Sequence, residues 1–116
     1  MAQGDITIMN NFKEQMGLKQ IDLDSDTIKC ALYTVALNSP DGAATAYTTD
    51  NEVSAANYSA GGVTLANVAV TQDDTNNLAK IDADDAAWTA LGAADIVEAR
   101  IYDDTTTPKH VIALVE

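Results

Sequence analysis

Hydrophobic and polar positions alternate most clearly between Asp22 and Leu37, where the chain reads DLDSDTIKCALYTVAL. An acidic turn leads into Ile28, Cys30 and Leu32, which alternate with Lys29, Ala31 and Tyr33. That period of two belongs to a strand with one buried face, and later segments read as its partners. Upstream, DITIMNNFKEQMGLKQ spaces Ile8, Phe12 and Met16 by four. This predicts a short amphipathic helix, begun by Asp5 or Thr7 and closed by Gly17, lying on the sheet or on a neighbouring subunit.

Downstream, Gly61 and Gly62 precede a second β stretch in which Val63 and Leu65, then Val68 and Val70, alternate, with Asn67 at a bulge. DDTNN at 73–77 is a turn signal between this stretch and a short strand, LAKID. Another acidic turn at 82–85 leads to a strand or turn around Trp88. In IVEARIYDD, alternation sends Val97, Ala99 and Ile101 inward and Glu98, Arg100 and Tyr102 outward. The closing HVIALVE is apolar on both faces, as expected of a strand inside a sheet or one whose second face meets another subunit. Short strands with turns roughly every ten residues predict a mainly β fold, a single-domain β-sandwich or barrel of about six to eight strands. Residues 1–20 form an N-terminal arm or helix and residues 21–116 the sandwich domain.

The connection from Asn38 to Asn57 is rich in Ser, Pro, Asp, Gly, Ala and Thr and begins with the turn signal NSPDG. At about 20 residues it is longer than most loops of a compact domain, which predicts a surface arm that orders against a partner.

A length of 116 residues fits one domain, and the net charge of −12 narrows its partners. Such a surface is repelled by phosphate backbones and by anionic lipid, so direct nucleic-acid and membrane binding are not expected. No run approaches the ~20 apolar residues that cross a bilayer, and no secretion signal is seen at the N-terminus; synthesis in a cytoplasm, without export by that route, is expected. The single cysteine, Cys30, excludes an internal disulfide and a cysteine cage for metal. Its apolar strand position marks it as a small buried hydrophobe.

Little in the residues points to catalysis. Asp22, Asp24 and Asp26 have the spacing that opens a calcium-binding helix–loop–helix, but Thr27 and Tyr33 stand where Gly and Glu are required. Those aspartates, and Asp82, Asp84 and Asp85, read as hydrated turn residues. The one imidazole, His110, lies between a turn and the last strand without a partner motif, as a surface or interface residue. Gly61–Gly62 lacks the surroundings of a phosphate-binding loop. Trp88, the one tryptophan, is expected to anchor the core, with an interface hot spot as the alternative. No catalytic residue, cofactor or metal is expected. A carbohydrate-binding module or small hydrolase would have to use the clustered carboxylates with Tyr33, Tyr47, Tyr58 or Tyr102.

Four segments, DLDSDTIKCALYT, NEVSAANYSAGGVTLANVAVT, IDADDAAWTAL and ARIYDD, taken in this order and spacing, resemble a family of small tailed-bacteriophage virion proteins. The resemblance runs from about Asp22 to the end of the chain. It implies a non-enzymatic structural component of the particle, foremost a capsid decoration (cement) protein on the outer surface of the capsid, with a tail or tail-tip component as the alternative. The partners implied are the major capsid protein and neighbouring copies of the chain, as a homo-oligomer or on the particle. The contacts expected on that basis are Ile8, Phe12, Met16, Tyr47, Tyr58, Ile112 and Leu114.

Overall fold

The strand at the centre of the main sheet carries a charged pair on its buried face. The computed structural model describes residues 4–37 and 45–116. Its elements in chain order are β1 (Ile6–Ile8), α1 (Asn10–Gly17), β2 (Ile28–Tyr33), β3 (Val63–Thr64), β4 (Ala69–Asp73), β5 (Leu78–Asp82), β6 (Glu98–Asp103) and β7 (Val111–Val115). The fold is mainly β, with seven strands in two antiparallel sheets. Five strands pair in the order β1-β7-β6-β2-β3, and β4 and β5 form a separate hairpin. β6 is therefore the middle strand, with β2 beside it.

The alternation in β6 runs opposite to expectation. Glu98, Arg100 and Tyr102 are buried, whereas Val97 is 46% exposed. In the sheet register Glu98 stands opposite Tyr33, and Arg100 stands between Ala31 and Leu114. Two charges tolerate this position because they satisfy each other. Arg100 Nε donates to Glu98 Oε1 at 2.7 Å and Nη2 donates to the Val35 carbonyl at 3.0 Å. The guanidinium carbon lies 3.6 Å from the centre of the Tyr33 ring, and Glu98 Oε2 accepts the Leu37 N–H at 3.1 Å. A buried pair is tolerable when its remaining donors and acceptors are also met.

β2 is buried on both faces rather than one, since Ala31 and Tyr33 are as inaccessible as Ile28 and Cys30. β7 occupies the position its two apolar faces imply, between β1 and β6.

The N-terminal segment departs from a continuous helix. Ile6, Thr7 and Ile8 pair with Val115, Leu114 and Ala113 before the helix begins. The apolar edge of β7 recruits them as a strand, and the Met9 N–H continues the ladder to the Ile112 carbonyl at 2.9 Å. Met9, not Asp5 or Thr7, occupies the helix N-cap and offers no side-chain cap. Gly17 is the last helical residue, but Lys19 takes the left-handed conformation at φ 59°. Met9 and Phe12 join the core, so this segment supplies both a strand and core side chains.

Asn67 is a corner rather than a bulge. With φ 54° it splits the expected single stretch into β3 and β4, which belong to different sheets. The 73–77 turn joins β4 to β5 as expected. Asp73 accepts from the Asn76 N–H at 3.1 Å and the Asn76 amide at 2.9 Å, and pairs with Lys80 at 3.0 Å. Those donors hold its carboxyl below the usual range. Val70, Leu78 and Ile81 on this hairpin are 46–51% exposed.

Trp88 stands outside the core. It is half-buried against Tyr58, with ring centres 6.2 Å apart, and its indole N–H has no acceptor. It lies in the connection between β5 and β6, where no strand carries it into the sheet. Trp88→Ala is accordingly expected to lower stability by about 1–2 kcal/mol, below the ~3–5 kcal/mol of a fully buried aromatic. Urea unfolding of the purified variant measures the difference.

NSPDG lies outside the described residues. The part of the long connection that is described orders against its own chain. Tyr47 N–H donates to the Lys109 carbonyl at 2.8 Å, Val111 N–H to Thr45 at 2.9 Å, and Val53 N–H to Leu32 at 2.9 Å. Backbone groups of β2, Lys109 and β7 thus hold residues 45–53 to the main sheet.

Candidate functional site

All four tyrosines gather on one side of the main sheet, where they fasten residues 45–62 to it. Glu52 is the hub. Its Oε2 accepts the Tyr47 hydroxyl at 2.7 Å, and its Oε1 accepts the Tyr58 hydroxyl at 2.6 Å and the Gly61 N–H at 2.7 Å. Tyr33 donates to the Thr48 carbonyl at 2.6 Å and Tyr102 to the Gly61 carbonyl at 2.7 Å. The Tyr47 and Tyr102 rings stack at 4.5 Å. Burial raises every one of these phenols, Tyr33 to about 12, and the neighbouring Glu52 charge raises them further. They are permanent donors, committed to acceptors of the same chain. None stands free as a platform for a sugar ring: Tyr33 and Tyr102 are buried, and Tyr47 and Tyr58 are half-buried.

Cys30, His110 and the aspartates of the 22–26 turn are also engaged within the chain. Burial pushes the Cys30 thiol up to about 11, which keeps it protonated, as a small buried hydrophobe would be. His110 is buried rather than superficial: its backbone bridges to Ala46, and its Nδ1 lies 2.9 Å from the Asn11 amide. Asp22 and Asp26 accept backbone N–H groups within their own turn, the Asp24 N–H to Asp22 at 3.0 Å and the Asp22 N–H to Asp26 at 2.9 Å. No group of three His, Cys, Asp or Glu able to hold a metal ion occurs among the described residues. Nor is any described helix long and apolar enough to cross a membrane.

Among the described residues, Asp103 is the carboxyl whose burial has a pH signature. Its Oδ1 accepts the Thr105 N–H at 2.8 Å and the Thr106 N–H at 3.3 Å, while the buried Oδ2 has no donor. Burial, and then the facing side chain of Asp26, push it up to about 6. A carboxyl raised in the native state is stabilising while protonated in both states, below the ordinary value of 3.8, and that contribution is lost as pH rises through about 6. Asp103→Asn keeps an acceptor for Thr105 and places an amide donor toward Asp26. We expect it to stabilise the protein at pH above ~7 by on the order of 1–3 kcal/mol. Melting curves recorded across the acid-to-neutral range should also lose part of their downward slope. Equal slopes for the two proteins would contradict this assignment.

The opposite face of the main sheet is apolar and incompletely covered. Ile8, Ala113, Ile101 and Cys30 form one cross-strand row, and Ile6, Val115, Ala99 and Leu32 the next. Ile6 is 65% exposed and Ile8 40%. Leu65, Val68 and residues 81–86 stand over this face and leave a cleft of about 530 Å³.

Of the expected contact residues, Ile8 and Ile112 border this cleft. Met16 is 40% exposed and borders a separate groove of about 380 Å³ beside Val70. Phe12 and Leu114 are core residues, and Tyr47 and Tyr58 meet at Glu52. The seven residues do not form one patch. Ile101, Val115, Leu65 and Ile81 also line the cleft but are not among the expected contacts; their common feature, an apolar residue in a short strand or beside a turn, is shared with ordinary core positions.

No family model, curated protein or solved structure matches this chain.

Proposed function

We propose that this chain is a structural component of a tailed-bacteriophage particle, most directly a capsid decoration protein seated on the outer surface of the major capsid lattice. The phage assignment rests on the four-segment resemblance. The observation that supports an adhesive role is the open apolar face bearing Ile6 and Ile8. On a molecule with net charge −12, such a face is a surface for a protein partner rather than for self-aggregation or nucleic acid. The inward-turned tyrosines and the protonated Cys30 fit a scaffold better than a catalyst. Repetition on a lattice would let modest contacts sum through effective concentration.

Purified particles of the phage that encodes the chain provide the test. Many copies of the chain should remain with particles through gradient sedimentation, and none should leave with free nucleic acid. Particles devoid of the chain would refute the assignment. A few copies confined to isolated tails would move it to the tail alternative.

A further inference from the structure

We propose that the cleft between the main sheet and residues 81–86 docks an apolar segment of a partner protein flanked by lysine or arginine. The floor carries Ile8, Ile101 and Val115, and Ile81 projects from the opposite wall. The space between them is about 530 Å³. Asp82, Asp84 and Asp85 line one rim, all exposed, and no Lys or Arg lines the cleft. Among the described residues the ion pairs are Lys80–Asp73, Arg100–Glu98 and Lys109–Asp104. None involves the rim. Asp84 accepts only the neutral Asn67 amide, at 2.6 Å, and Asp82 the next backbone N–H, at 2.9 Å.

Apolar floor and acidic rim together specify the occupant: aliphatic side chains for the floor and cations for the rim. A second copy fits poorly. It would bring another net charge of −12 against the same rim, with like charges facing one another. Nucleic acid and anionic lipid are repelled for the same reason. The proposal deepens the assembly assignment by naming the chemistry of the partner, and its test runs on the isolated protein.

The probe is a synthetic peptide with an alternating Val-Ile core and paired lysines at each end, titrated into isotope-labelled protein and followed by NMR. A control peptide carries glutamates in place of the lysines. The lysine peptide should give saturable shifts at the amides of Ile8, Ile101 and Val115. Asp84→Asn combined with Asp85→Asn should weaken it by about threefold per carboxylate, without altering the fold, since both side chains are exposed and an amide oxygen at position 84 still accepts from Asn67. Raising salt from about 0.1 M to about 1 M should weaken it further, as the screening length falls from ~10 Å to ~3 Å. Absence of saturable shifts, shifts centred elsewhere, equal binding of the glutamate peptide, or self-association that protects the same amides would each overturn the proposal. A protein that binds the peptide but is absent from particles would sink the virion assignment alone. One that occupies particles but ignores the peptide would sink this proposal alone.

Discussion

Replacing Glu98 by Ala is expected to destabilise the protein by about 3–5 kcal/mol, the cost of leaving one member of a buried ion pair without its partner. Arg100 is only 4% exposed and sits in the central strand, so water cannot replace the lost carboxylate without opening the sheet. The Leu37 N–H would also lose its acceptor. The Tyr33 ring beneath the guanidinium offers partial compensation, on the order of 1–2 kcal/mol for a desolvated contact. Changing both residues together, Glu98→Leu with Arg100→Met, should recover most of the loss, because the desolvation of two charges disappears along with their attraction. Urea unfolding of the two variants beside the parent measures both effects. A single variant within about 1 kcal/mol of the parent would mean that the pair is more hydrated than its burial implies.

Gly62→Ala is expected to be comparably damaging, for a different reason. Gly62 has φ 75°, a conformation that side chains disfavour, and an added Cβ would lie 1.8 Å from the Cys30 carbonyl oxygen and 2.7 Å from the Ala31 Cα. Those atoms belong to β2, whose pairing with β3 begins at the adjacent Val63. No side-chain rotation relieves a clash between a Cβ and a backbone, so β2 and β3 would have to separate. We expect a loss of about 3 kcal/mol or more, with the amides of Val63 and Thr64 exchanging early with solvent. Gly61, one residue earlier, faces only the flexible end of Lys29 and the Tyr102 hydroxyl, at 3.2 and 3.3 Å. Its substitution should be milder than that of Gly62, though its own φ of 96° prevents it from being neutral. An unfolding midpoint for Gly62→Ala equal to that of the parent would contradict the close approach.

These two positions also mark how far the sequence could be read. That β2 and β7 are strands, the turn at 73–77 and the mainly β class follow from local pattern, because each is decided by neighbours within a few residues; the second buried face of β2 does not. The facing of β6 is not local. Alternation alone puts Glu98 and Arg100 outside, and only the presence of Tyr33, Val35 and Leu37 across the sheet makes their burial tolerable. The N-terminal segment shows the same limit. Ile8, Phe12 and Met16 do have helical spacing, yet the edge of β7, about a hundred residues away, draws Ile6–Ile8 into a strand.

The candidate surface was legible only in fragments. Of the expected contacts only Ile8 and Ile112 line the cleft, whose floor and walls also come from Leu65, Ile81, Ile101 and Val115. These lie in separate strands and loops, so no window of sequence contains them together. Glu52 is harder still. It is one carboxylate in a long polar connection, and its three donors arrive from Tyr47, Tyr58 and Gly61. The tyrosines themselves carried a signal in their scarcity, since aromatics make up 5% of the chain and all four tyrosines converge on one network.

Electron microscopy of particles bearing this chain fused to a dense label tests the central claim most directly. If the chain works as a decoration protein, label should cover the head in many copies and disappear when unlabelled protein competes for the lattice. Label found nowhere on the particle, or restricted to the tail, would contradict it.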